Sequence, residues 1–181
     1  PLDDCVTAYR WLRKQGFPAQ NIVVAGDSAG GNLTITMMMR LRDSGEQLPA
    51  AGACLSPATT ISSHGNPSEG RRDPLLHPRA MRFFATAFVG NQDPRNPLIS
   101  PVYGDWRGLP PLLVHVGEDE TLREDAVHIE ELARAAGVPV RLEIYPRMWH
   151  VWQVFPALPE ARQSLDDIAQ FVFTDLGDSY A

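Results

Sequence analysis

The sequence is poor in the residues and patterns that mark several classes of protein. It has two cysteines, Cys5 and Cys54, among 181 residues, so we expect no disulfide framework and predict a reducing, cytoplasmic location. The five histidines are scattered and no paired His or Cys spacing of a metal site occurs, so we predict no metal and no cofactor. No apolar run is long enough to span a bilayer, and the first residues show no signal-peptide pattern.

Charge and glycine spacing exclude further classes. A net charge of −6 argues against nucleic acid or a membrane surface as a partner. The glycine-rich stretch at residues 26–31 lacks both the Gly-Lys-Ser/Thr of a phosphate loop and the G-x-G-x-x-G of a dinucleotide site. The remaining composition, 44% hydrophobic and 21% charged, is that of an ordinary globular protein, and the length suits one domain.

Residues 22–33, IVVAGDSAGGNL, form the most informative stretch of the chain. Four apolar residues predict a buried strand, and the apolar residues after the glycines predict a buried helix. Glycines on both sides of Ser28 would let strand and helix approach closely, leaving the serine hydroxyl exposed above the helix N-terminus. A G-x-S-x-G pattern alone also occurs in ordinary loops. The flanking strand and helix favour a nucleophile elbow.

Strands and helices alternate along the chain. This alternation predicts an α/β fold with a mostly parallel sheet covered by helices on both faces. The segment 56–107 is predicted to be a long loop and helix excursion that contributes to a pocket. The predicted strands are 21–25, 50–55, 111–116 and 138–145, and the predicted helices are 2–15, about 29–42, 78–89, 122–136 and 158–176.

Chemically active residues follow three of the four predicted strands. Ser28 follows the first strand, the acidic run 118–120 follows the third, and His150 follows the fourth. Functional groups gather where parallel strands end, and the order serine, acid, histidine is that of a hydrolase. Ser28 would be the nucleophile, His150 the general base and a carboxylate its orienting partner, with the Ala29 N–H in the oxyanion hole. The pattern alone leaves open which carboxylate acts.

The block Gly26-Asp27-Ser28-Ala29-Gly30-Gly31-Asn32-Leu33 resembles the elbow of the hormone-sensitive-lipase family of α/β-hydrolases, in its bacterial type IV esterase branch. Further blocks along the chain also resemble that family. The resemblance implies a serine carboxylesterase that acts on short acyl esters through an acyl-enzyme, and it places the catalytic acid at Asp119. These further blocks are Leu55-Ser56-Pro57, Asp73-Pro74-Leu75, Pro97-Leu98-Ile99-Ser100-Pro101, Leu109-Pro110-Pro111, Gly117-Glu118-Asp119-Glu120-Thr121-Leu122 and Met148-Trp149-His150-Val151-Trp152.

One part of the family pattern is missing. Family members carry a His-Gly-Gly-Gly segment upstream of the elbow that completes the oxyanion hole, and this chain has no such segment. Residues 1–181 therefore resemble the C-terminal part of a single α/β-hydrolase catalytic domain whose N-terminal strands are missing. We expect an open edge on the strand at 21–25 and impaired turnover by the chain alone. A homodimer, or a chain that supplies the missing part, would be the partner.

Several aromatic residues have two interpretations. Phe84, Phe88, Trp149 and Trp152 could line the substrate pocket, although core packing explains the same spacing. His115 lies in the middle of a predicted strand and is expected to be a core residue. The alternative function is a non-catalytic module that binds a small ligand, as in the plant gibberellin receptors that resemble this family. Those receptors lack the triad histidine, so the presence of His150 favours an enzyme.

Overall fold

The computed structural model describes residues 1–61 and 73–175, and in them the predicted alternation of strands and helices is present. Predictions for residues 62–72 and 176 lie outside the described residues. Short 3-10 turns cover Ala19–Asn21, Pro101–Tyr103 and Trp152–Val154, and a π-helical turn covers Phe171–Asp175. The main elements are α1 (Leu2–Lys14), β1 (Val23–Asp27), α2 (Ala29–Asp43), β2 (Ala51–Leu55), α3 (Pro78–Val89), β3 (Leu112–Gly117), α4 (Arg123–Ala135), β4 (Val140–Tyr145) and α5 (Pro159–Gln170).

The four strands form one sheet in the order β1-β2-β3-β4, and every neighbouring pair is parallel. Asp27 pairs with Leu55, Leu55 pairs with His115, and Gly117 pairs with Tyr145. This register brings the carboxyl ends of all four strands to one edge. The predicted α/β fold is confirmed, and β1 is an edge strand of the sheet that the described residues form. None of the described helices is long and apolar enough to cross a membrane.

Side-chain alternation along β3 explains why helices cover both faces. Leu112, Val114 and Val116 pack in one buried cluster with residues of α2 and α4. Leu113 points to the opposite face, where it clusters with Phe171, just after α5. Because both faces of the central strands are covered, β2 and β3 consist of apolar and small residues almost without interruption. The strands that end at this edge are therefore held by buried clusters on both faces of the sheet.

Several element boundaries differ from the predictions by one or more residues, among them those of β1, β4 and α5. β1 runs on to Asp27 rather than ending at Ala25, because Gly26 and Asp27 still pair with β2. β4 begins at Val140 rather than 138, because Pro139 has no N–H and joins β3 through its carbonyl, which accepts from Leu112 N at 2.9 Å. α5 ends at Gln170, and the predicted helix continues as the π-helical turn.

The turn between β1 and α2 depends on a glycine at position 26. A Cβ added there would overlap the carbonyl carbon and oxygen of Gly30, whereas a Cβ added at Gly30 meets nothing within 4 Å. We expect Gly26→Ala to destabilise the fold by about 1–3 kcal/mol, which lowers Tm by about 2–4 °C per kcal/mol. Gly30→Ala is the matched control, and its Tm should be close to that of the unmodified chain. Equal Tm values for the two variants would contradict this close packing.

His115 is fully buried on β3, as predicted, and its Nδ1 lies 2.8 Å from Ser164 Oγ on α5. Burial, the largest cause, lowers its pKa from 6.5 to about 4. The unfolded chain therefore takes up this proton near pH 6.5, while the folded chain takes it up only near pH 4. Between these values protonation favours unfolding, so stability is lost as pH falls, by up to about 1.4 kcal/mol per pH unit.

This linkage predicts a difference between the unmodified chain and His115→Gln. Denaturant unfolding at pH 7 and pH 5 should show a larger loss of unfolding free energy for the unmodified chain, because the variant cannot take up this proton. Equal losses of unfolding free energy in the two proteins would show that protonation of His115 is not the cause of the pH dependence.

Candidate active site

Ser28 is the single residue between β1 and α2, and its backbone is strained. Its φ angle is +52°, a region that residues other than glycine rarely adopt, so the tight turn strains the backbone at this serine. The conformation is held from both sides. Ser28 N donates to Leu55 O at 2.8 Å, and Ser28 O accepts from Ala58 N at 3.1 Å. Ala29 is the first residue of α2, so its N–H has no carbonyl partner within the helix.

His150 lies in the loop after β4 at the same edge of the sheet. Its side chain is buried, with 6% of the residue exposed. Two residues of this loop, Arg147 and Val151, have positive φ angles of 59° and 51°. Hydrogen bonds hold the backbone at both residues. Arg147 N donates to Glu118 Oε2 at 3.1 Å, and Val151 N donates to Ser56 Oγ at 3.1 Å. The imidazole is therefore held by a constrained loop.

A buried carboxylate, Glu120, faces His150. Glu120 is fully buried, and its Oε1 lies 3.6 Å from His150 Nδ1. Neither of these two atoms has a hydrogen-bond partner. The other oxygen, Oε2, accepts from Gly117 N and from Ser56 Oγ, both at 2.8 Å. Since an unpaired buried polar atom is costly, each of the two facing atoms is the natural partner of the other.

The structure does not place Asp119, the predicted acid, against His150. Its side chain is exposed, and its backbone N–H donates to Met148 O at 3.0 Å. Glu118 and Asp119 form the exposed tip of the turn after β3, and the chain returns to the sheet only at Glu120. The Gly117 N–H, which bonds the Glu120 carboxylate, closes this turn. The sequence pattern included Glu120 in the acidic run without singling it out, and it gave Ser56 no role at the site. Glu120 and Leu122 are buried, but the sequence carries no clear signal that separates Glu120 from its two exposed neighbours.

Ser28 and His150 lie at the same edge of the sheet. Within the described residues, 1–61 and 73–175, no hydrogen bond joins their side chains. Backbone hydrogen bonds connect the segments that follow neighbouring strands along this edge. Ser28 N bonds Leu55 O, Ser56 N bonds His115 O at 2.7 Å, and Glu118 N bonds Tyr145 O at 2.9 Å. Hydrogen bonds between catalytic groups are often long without substrate and shorten in the complex. The predicted Ser28–His150 contact stays a prediction.

An apolar cavity of about 450 Å³ opens beside Ser28 and Ala29. Its wall includes Phe84 and Phe88 of α3, two of the residues predicted from the sequence to line a pocket. α3 lies within the predicted excursion 56–107. The other lining residues are Asn32, Ala58, Ile61, Leu76, Met81, Ala85, Ala87 and Leu122.

The two tryptophans beside His150 do not line this cavity. Trp152 is fully buried and packs on Tyr145, with ring centroids 4.8 Å apart, which is the core packing that the sequence analysis left as its alternative. Trp149 is half-buried and its ring lies edge-on to Phe155 at 5.9 Å. Both pack around the histidine loop because the chain turns sharply there and its large side chains fill the space against α5.

The cysteines form no disulfide, and the acidic residues that the structure describes form no cluster suited to a metal ion. Cys5 and Cys54 are both free, and burial raises the pKa of the Cys54 thiol to about 12. No group of three His, Cys, Asp or Glu side chains among residues 1–61 and 73–175 is placed to hold a metal ion.

Comparison with known proteins identifies the family of this chain. A family model described as alpha/beta hydrolase fold matches residues 1–154. The chain belongs to the α/β-hydrolase fold family. An acetyl-hydrolase of Streptomyces hygroscopicus is 42% identical over 180 residues, which cover 98% of this chain and 60% of that protein. An esterase of Acinetobacter venetianus is 34% identical, over 94% of this chain and 57% of that protein.

A solved structure supports the finer family assignment. The crystal structure of an esterase from the bacterial hormone-sensitive lipase family matches with a TM-score of 0.90 and 42% identity, over 95% of this chain and 59% of that one. The resemblance to this family, read from the elbow block, is confirmed. This α/β-hydrolase chain spans about 60% of the length of these three relatives.

Proposed function

We propose that this α/β-hydrolase chain carries the triad of a carboxylic ester hydrolase, with Ser28 as nucleophile, His150 as base and Glu120 as acid. The observation that carries the proposal is the buried Glu120–His150 pair at 3.6 Å, at the sheet edge that also holds the strained Ser28. A buried carboxylate facing one ring nitrogen leaves the other nitrogen to exchange a proton with the nucleophile. The names of the relatives, acetyl-hydrolase and esterase, support an ester as the substrate.

The first half of the reaction forms an acyl-enzyme. His150 takes the proton of the Ser28 hydroxyl as Oγ bonds to the acyl carbon, and Glu120 stabilises the imidazolium that results. The carbonyl oxygen gains the negative charge, and the Ala29 N–H at the positive end of α2 donates to it. When the bond from the acyl carbon to the alcohol oxygen breaks, His150 returns the proton to the departing alcohol.

The second half repeats these steps with water. His150 takes a proton from water, whose oxygen attacks the acyl carbon, and the bond to Ser28 Oγ breaks as the serine regains its proton. The product acid then leaves. The cavity beside Ser28 supports an apolar acyl group, because its wall is built from α3 side chains such as Phe84 and Phe88 and from small aliphatic residues.

The test is hydrolysis of p-nitrophenyl acetate and p-nitrophenyl butyrate by the full-length protein. We expect saturable release of nitrophenolate, with a rapid first turnover if the acyl-enzyme accumulates. The names of the relatives favour acetyl and other short acyl groups, so p-nitrophenyl dodecanoate should have a lower kcat/KM. Saturable binding of an ester analogue without any turnover would contradict the proposal and favour the binding-module alternative.

A further inference from the structure

Ser56 occupies a strained and completely buried position between the two loops that carry Glu120 and His150. It follows the last residue of β2, has 0% exposure and a φ angle of +47°. Its N–H donates to His115 O at 2.7 Å, which extends the β2–β3 ladder by one bond. A non-glycine residue is costly in this conformation, so a serine here points to a use for its side chain.

The Ser56 hydroxyl makes two hydrogen bonds, one to each loop. It donates to Glu120 Oε2 at 2.8 Å and accepts from Val151 N at 3.1 Å. Val151 is the residue directly after His150 and itself has a positive φ angle. One side chain thus contacts the carboxylate of the proposed acid and the backbone next to the proposed base.

The two bonds to Oε2 set the orientation of the Glu120 carboxylate. Gly117 N and Ser56 Oγ both donate to this oxygen at 2.8 Å, so the carboxylate cannot rotate without losing them. The remaining oxygen, Oε1, is then directed at His150 Nδ1. Without the Ser56 hydroxyl, Glu120 keeps one fixed donor, and the backbone after His150 loses its anchor.

We propose that Ser56 is a positioning residue for the Glu120–His150 pair, an inference that rests on the proposed function. It acts through Glu120 and through the histidine loop and touches no substrate atom. Because its task is orientation of the base, its loss should lower the rate of the chemical step and leave substrate binding intact.

The test compares Ser56→Ala and Ser56→Gly with the unmodified full-length protein on p-nitrophenyl butyrate. We expect kcat to fall about 10- to 100-fold, the effect of a lost hydrogen bond to a charged group, while KM changes less than about threefold. Ser56→Gly keeps the test valid if the alanine variant folds poorly, since glycine adopts a positive φ angle without strain. Ser100→Ala is the matched control, because Ser100 is also fully buried and its hydroxyl has no hydrogen-bond partner.

A double-mutant cycle separates positioning from general structural support. If Ser56 acts through Glu120, the Ser56→Ala change should cost much less in the Glu120→Gln background than in the unmodified protein. Multiplicative losses in the double variant, or near-normal kcat in both Ser56 variants, would overturn the inference.

The Ser28→Ala variant distinguishes a failure of the positioning role of Ser56 from a failure of the proposed function. If it abolishes hydrolysis while the Ser56 variants stay fully active, only the positioning role fails. If Ser28→Ala remains active, the proposed function itself fails.

Discussion

Ser28→Ala is expected to lower kcat for p-nitrophenyl butyrate by on the order of 10⁴- to 10⁶-fold, because no other group in the proposed mechanism can form the acyl-enzyme. Stability should change little. Alanine keeps the Cβ and therefore the strained φ angle of +52°, and the Ser28 hydrogen bonds to Leu55 and Ala58 use backbone atoms that alanine also has. Steady-state kinetics and thermal unfolding of the same preparations measure the two effects separately.

Ser44→Ala is the control for this variant. Ser44 lies exposed at the end of α2 opposite to Ser28, so its replacement should leave both kcat and Tm unchanged. Residual activity in Ser28→Ala within tenfold of the unmodified protein would mean that another group performs the attack.

Glu120→Gln is expected to lower kcat by about 10⁴-fold, the cost of replacing the triad acid by its amide in a well-studied serine protease. Glutamine has nearly the same shape but no charge, so it cannot stabilise the imidazolium of His150. The amide can also hold the imidazole in the wrong tautomer, which would leave no base for Ser28. The measurement is kcat for p-nitrophenyl butyrate, with circular dichroism to confirm the fold.

Asp119→Asn is the matched control, one residue away in the same turn. Because Asp119 is exposed, its amide variant should change kcat less than about threefold. The reverse ranking of the two variants would restore Asp119 as the acid and contradict the assignment made from the Glu120–His150 distance.

The elbow could be predicted from the sequence because its causes are local. A tight strand-to-helix turn needs small residues where the two elements touch, and Gly26 and Gly31 meet that need within five residues of each other. A Cβ at Gly26 would overlap Gly30, and one at Gly31 would lie 2.7 Å from Pro57 Cβ. The strand register then follows from the apolar runs, and the register places Ser28 and His150 at one edge.

The acid could not be chosen in the same way, because its causes are distant in sequence. Three adjacent carboxylates have the same chemistry, and only the path of the turn decides which of them faces inward. Glu120 is bound by the Ser56 hydroxyl, 64 positions earlier in the chain. The resemblance to a family points to Asp119, at the exposed tip of the turn and one residue before Glu120.

The aromatic residues show a similar limit. Phe84 and Trp152 both had the spacing of a buried helix or loop face, yet Phe84 borders the cavity while Trp152 packs on Tyr145 in the core. The two outcomes depend on what lies opposite each side chain. For Trp152 the opposing surface includes Ala161 of α5, which is separated from it by the turn at 153–158.

The most direct test of the triad is the mass of the protein after reaction with phenylmethylsulfonyl fluoride, followed by peptide mapping. A serine activated by His150 attacks the sulfur, fluoride leaves, and one sulfonyl group stays bound to Oγ. We expect one adduct per chain, located on Ser28, and a much slower reaction in Glu120→Gln. An unmodified Ser28, or an adduct on another residue, would contradict the assignment of Ser28, His150 and Glu120 as a catalytic triad.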